Sequence, residues 1–156
     1  MRKLPVVAIV VAVGSAFSVA PTGGATAGRE LRFFTHDTQQ AQLDLGDEGD
    51  SIGDRYVFSG DVFDHQGGTK VGRLGGVCDT VSKGPKGDGE DVCTVTLALA
   101  RGQLMISAVV DHDAFLGGTP QLISITGGTG IYRAAQGDGT VTVLNATDTD
   151  TVVRLD

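Results

Sequence analysis

The sequence predicts an all-β domain of eight short antiparallel strands, and three observations predict it. Apolar side chains beyond the first 27 residues do not recur at a helical spacing; strict alternation recurs instead. Gly- and Asp-rich clusters interrupt that alternation about every 8–12 residues, the turn spacing of sandwiches and barrels. Gly supplies 24 of the 156 residues without the triplet period of collagen, as a small, strongly coiled sheet with bulges and corners requires. A sandwich and a barrel both satisfy the pattern. Closing eight strands on one another removes the sheet edges that a domain without helices would otherwise expose, so the fold class expected is an eight-stranded antiparallel β-barrel.

The first segment reads as an export signal. Arg2 and Lys3 precede an apolar stretch from Val6 to Ala20, and Ala25-Thr26-Ala27 offers the small-x-small pattern of a cleavage site. The apolar run is shorter than the ~20 residues a spanning helix needs. Cleavage is expected after Ala27, leaving residues 28–156 as one secreted domain with no membrane anchor. It removes two of the 12 basic residues and none of the 19 acidic ones, so the net charge moves from -7 to -9. Such a chain lacks the clustered Lys and Arg that nucleic acid or an anionic membrane requires.

The strands follow in order. Leu31 to Asp37 is the first, with Leu31, Phe33, Thr35 and Asp37 on one face. Residues 39–54 form a polar, Asp-rich connection. Arg55 to Asp64 is the second, with Tyr56, Phe58 and Val62 sharing a face. Val71 to Val81 is the third, softened by Gly72, Gly75 and Gly76. Val92 to Ala100 and Leu104 to Asp113 are the fourth and fifth, joined by a tight turn at Arg101-Gly102-Gln103. Gln121 to Thr126 is the sixth, followed by Gly127-Gly128-Thr129-Gly130. Gly139 to Ala146 and Thr151 to Leu155 complete the set. Cys78 and Cys93 flank a Gly/Pro/Lys loop between the third and fourth strands, and an even count in an exported chain reads as one disulfide stapling that hairpin.

Three stretches together resemble the barrel superfamily of plant allene oxide cyclases and dirigent proteins. Gly53-Asp54-Arg55-Tyr56-Val57-Phe58, continuing to Val71-Gly72-Arg73-Leu74-Gly75-Gly76-Val77-Cys78, is similar to their G-D-x-x-x-F … G-x-x-G-x-C/F segment. Ile125-Thr126-Gly127-Gly128-Thr129-Gly130-Ile131-Tyr132 resembles the cyclase I-T-G-G-S/T-G-I-F and the dirigent G-G-T-G-x-F. Leu31 to Asp37 resembles a dirigent first strand reading aromatic-x-His-Asp, which places His36 beside Asp37. The resemblance implies an antiparallel eight-stranded barrel, a homotrimer, an apolar cavity for a lipid- or phenol-derived intermediate, and no metal or redox cofactor. Two positions depart from it. Gln136 stands where dirigent proteins carry an Arg, and Asp37 is the nearest acid to the Glu expected on the first strand of the cyclases.

Candidate chemistry centres on carboxylates. Asp37 closes the first strand; Asp111 and Asp113 share a face near the end of the fifth, with His112 opposite. Two carboxylates from different strands facing one cavity divide acid and base roles, because burial or mutual repulsion raises one pKa. The competing reading makes each a solvated strand-ending residue. His36, Arg73 and Tyr132 are the substrate-binding candidates: Arg73 to hold an anionic group, Tyr132 to place a phenol at the cavity mouth. Their competing readings are a surface cation for Arg73 and a core aromatic for Tyr132. Two Cys and three His show no metal-ligand spacing, and the acidic run of Asp44, Asp47, Glu48, Asp50 and Asp54 lacks the EF-hand order; no metal is expected. The Gly127–Gly130 turn is not followed by the Lys of a phosphate loop. The function expected is a secreted barrel that binds a small apolar molecule and steers cofactor-free cyclisation or coupling. The alternatives are a carrier barrel without catalysis and a structural protein with a filled interior. A cavity above ~300 Å³ separates the last from the others.

Overall fold

The computed structural model describes residues 28–84 and 89–156. The expected export signal lies outside the described residues, as does the middle of the Gly/Pro/Lys loop. Eight strands follow one another: β1 Arg29–Leu43, β2 Arg55–Phe63, β3 Lys70–Lys83, β4 Gly89–Leu99, β5 Gly102–Asp111, β6 Gln121–Gly128, β7 Gly137–Val143 and β8 Asp148–Leu155. Each pairs antiparallel with its sequence neighbour, and β1 closes on β8. The predicted closed barrel is the observed fold.

Several strand ends differ from the sequence reading, and three of the differences have a local reason. β1 does not stop at Asp37. A bulge between Asp37 and Gln39 absorbs one residue, and Gln39 to Leu43 then pair with Ser59 to Arg55. This extension is exposed, so no apolar alternation marks it. β5 stops at Asp111 rather than Asp113, and His112–Leu116 form a short helix, α1. The Asp111 side chain accepts the Ala114 N–H at 2.7 Å, a cap that diverts the chain from strand to helix. β7 and β8 meet at a tight turn whose Asn145 Oδ1 accepts the N–H groups of Thr147 and Asp148, which starts β8 at Asp148.

The two ends of the barrel differ. At the end formed by the starts of the odd strands, Val62, Leu104 and Val153 are fully buried, and Phe33, Ile125 and Tyr132 pack with them. The Gly127–Gly130 motif belongs to this end. Thr129 donates its N–H to Gln103 O and its hydroxyl accepts from Gln103 N, so the end of β6 is tied to the start of β5. Gly130 has φ of +60°, and a Cβ there would collide with the Arg101 carbonyl, so only Gly fits without strain. Cys78 and Cys93 face each other across β3 and β4 and form the expected disulfide.

Candidate functional site

Towards the opposite end the barrel is not filled. A cavity of about 640 Å³ occupies its interior, within the range of small-molecule sites. Phe58, Leu74, Val95, Leu97, Ile106 and Ile123 form much of its wall. They point inward because alternate residues of each strand face the barrel axis. The Cys78–Cys93 bridge is part of the same wall. Phe115 and Leu116 of α1 also line the cavity, and α1 touches β4, β5 and β7, so it leans across the open end.

Polar groups interrupt this apolar surface at a few points. Asp37 lines the cavity from β1, half-buried. Gln40 Nε2 donates to Asp37 Oδ2 at 3.1 Å. Burial raises the Asp37 pKa above the ordinary carboxylate value, against the lowering pull of the Gln40 hydrogen bond and of His36. Tyr56 lies on the same side, stacked on Phe58 with ring centroids 5.4 Å apart. Its phenol pKa is raised, first by burial and then by the neighbouring Asp37 charge. On β4, Asp91 is buried and lines the cavity. His112, the first residue of α1, places Nδ1 2.7 Å from Asp91 Oδ2. Thr35 and Thr149 share a hydroxyl–hydroxyl hydrogen bond of 2.6 Å in the wall between β1 and β8.

Of the six residues expected to carry chemistry or binding, the fold brings Asp37 alone to the cavity. His36 sits between inward Thr35 and Asp37, so it faces outward, and its Nδ1 lies 2.6 Å from Asp148 Oδ1. Arg73 precedes inward Leu74 and is exposed on the outer surface. Asp111 follows inward Val110, is exposed, and is engaged as the α1 cap. Asp113 is exposed on α1 and does not line the cavity. Tyr132 is buried in the closed end. The residues missed are Tyr56, Asp91 and His112. Asp91 had a signal: it extends the inward series Cys93, Val95, Leu97 by two residues, an acid continuing an apolar face. His112 had the same signal, since it extends the inward series Ile106, Ala108, Val110 by two residues. Among the described residues, no group of three or more His, Cys, Asp or Glu side chains is arranged to hold a metal ion.

The chain is thus a closed antiparallel barrel with an apolar, acid-bearing cavity. A family model for the allene oxide cyclase barrel like domain matches residues 32–154, and the chain belongs to that family. No curated protein sequence matches it. Among solved structures, a pyocyanin demethylase is similar at 26% identity and a TM-score of 0.71, over 82% of this chain and 100% of that one. AbnU, an exo-specific intermolecular Diels-Alderase, is similar at 13% identity and a TM-score of 0.65, over 82% and 97%. A pterocarpan synthase dirigent protein, GePTS1, is similar at 15% identity and a TM-score of 0.65, over 82% and 83%. The last two likenesses are likenesses of fold.

Proposed function

We propose that the barrel takes a small apolar molecule, phenolic or lipid-derived, into its cavity and steers a cofactor-free ring closure or coupling. The observation that carries this reading is the cavity of about 640 Å³, apolar-walled, with the half-buried Asp37 carboxyl on its surface. The walls hold a flexible ligand in one reactive conformer and keep water from a reactive intermediate. Burial keeps a larger fraction of Asp37 as the neutral acid, the form that donates a proton to an epoxide or quinone-methide oxygen. The likeness to proteins named for acting on pyocyanin and for a Diels–Alder reaction supports small-molecule chemistry in this fold.

The test is direct binding of 2-naphthol, linoleic acid and pyocyanin, followed by fluorescence or calorimetry. At least one is expected to bind saturably to the wild-type protein and to lose binding in Ala108→Trp, which fills the cavity. Absence of saturable binding by all three, or undiminished binding in Ala108→Trp, overturns the reading. The same reading includes export after cleavage behind Ala27 and assembly as a homotrimer. N-terminal sequencing of protein recovered from the medium checks the first, and light scattering checks the second.

A further inference from the structure

Asp91 and His112 stand in the cavity wall and have no part in the proton donation assigned to Asp37. Asp91 is only 8% exposed. Its Oδ2 meets His112 Nδ1, while its Oδ1 is buried and has no hydrogen-bond partner among the described residues. A buried acceptor left unmatched is costly, and native structures contain few of them. The residue lines a cavity with room for a ligand, although Oδ1 itself is covered.

The contact also fixes the histidine ring. A carboxylate oxygen accepts, so Nδ1 donates and the neutral ring carries its lone pair on Nε2. With Asp91 Oδ1 covered by protein, the pair offers a ligand one acceptor, His112 Nε2, and a matching ligand group must be a hydrogen-bond donor. The charge of the cavity narrows the choice. Asp37, Asp50 and Asp91 line it, and among the described lining residues there is no Lys or Arg. Lys83 pairs with Asp50 at 3.7 Å, and a ligand carboxylate near Asp37 or Asp91 would meet like charge.

We propose that Asp91 and His112 recognise an acidic hydroxyl, so that the ligand class is a neutral phenol or enol rather than a carboxylic acid. The hydroxyl donates to His112 Nε2, and Asp91 is the positioning residue that holds the ring in the accepting tautomer. Asp91 on β4 and Asp37 on β1 are three strands apart in an eight-stranded barrel, which puts them on facing walls. The hydroxyl end of the ligand then lies at β4 and α1 and its proton-accepting oxygen at β1. This inference rests on the reading that the cavity takes a ligand.

Three probes of one ring system separate the two claims: 2-naphthol, 2-methoxynaphthalene, which lacks the donor, and 2-naphthoate, which carries the charge. The wild-type protein is expected to bind 2-naphthol about tenfold more tightly than the methyl ether, and 2-naphthoate least. In His112→Phe the ratio is expected to fall to about one, with circular dichroism reporting that the variant is folded. In the wild-type protein, ¹⁵N spectra of labelled histidine are expected to show the Nδ1–H tautomer for His112, with an Nε2 resonance that moves on adding 2-naphthol and stays with the methyl ether. Equal affinity for 2-naphthol and its ether, tightest binding of 2-naphthoate, a ratio retained in His112→Phe, or an unmoved Nε2 resonance each overturn the inference while leaving the cavity reading intact. Failure of all three probes to bind overturns both.

Discussion

Asp37 is held where its charged form is disfavoured, and this links stability to chemistry at one residue. Its folded pKa is raised above 3.8, chiefly by burial. The stabilisation it contributes is therefore complete below the unfolded value and is lost as pH rises through the folded one. At neutral pH the ionised group is a burden. Asp37→Asn is expected to melt higher than wild type at about pH 7 and to converge with it near pH 3, as followed by circular dichroism. With a ligand that is turned over, the same variant is expected to lose ~10²–10⁴-fold in kcat; unchanged turnover would leave the barrel a carrier. Asp54 behaves in the opposite sense. It accepts the N–H groups of Ser51 and Leu45, and these hold its pKa low. Its contribution is present above pH 3.8 and disappears as pH falls through the lower folded value. Asp54→Asn is expected to lower the melting temperature at neutral pH and to show a smaller difference from wild type in acid. At this scale the sequence identified Asp37 because strand parity put it on the face of Phe33 and Thr35. The same parity rule placed His112 on the face of Ala108 and Val110, opposite Asp111 and Asp113, but the carboxylate pair on the outward face was preferred to it.

Two elements frame the site and can be tested separately. The β3–β4 hairpin is bridged by Cys78 and Cys93, 15 residues apart. Closing a loop of that size stabilises by ~3 kcal/mol through the unfolded chain. Urea unfolding with and without reductant is expected to show that loss, and Cys78→Ser/Cys93→Ser to show it without reductant. Because both residues line the cavity, the reduced protein is also expected to bind the cavity probes more weakly. Helix α1 depends on its Asp111 cap. Asp111→Ala is expected to cost about 1 kcal/mol and to speed hydrogen exchange at the Ala114 amide. Since His112 begins this helix, the preference for 2-naphthol over its ether should fall as well. The bridge was legible from cysteine count and loop composition. The helix was not: five residues are too few for a periodic signal, and Val109 through Ala114 read equally well as the end of a strand.

Across the whole molecule, the turn spacing and glycine surplus revealed the barrel because each strand pairs with its sequence neighbour, and the β1–β8 seam alone joins distant segments. The size of the interior was not legible. It depends on how the strands tilt and stagger as they close, which no local pattern records. The glycine motif around Gly130 turned out to serve closure. Gly130→Ala is expected to cost about 1–3 kcal/mol from the forced φ in denaturant unfolding, while the protein that remains folded binds cavity probes with wild-type affinity. A shift in probe affinity would mean that the closed end is coupled to the open one.

The separation of the two ends has a consequence for how this barrel can diversify. The residues that plug it, among them Leu104, Val153 and Tyr132, are not those that surround the ligand space. Substitutions at Val143, near the open end and outside the packed cluster, can reshape what the cavity admits while the plug keeps its packing, because changes at sites without shared contacts add independently. The closed end thus acts as a reserve of tolerance, and new specificities are reachable by single steps that never pass through an unfolded ancestor.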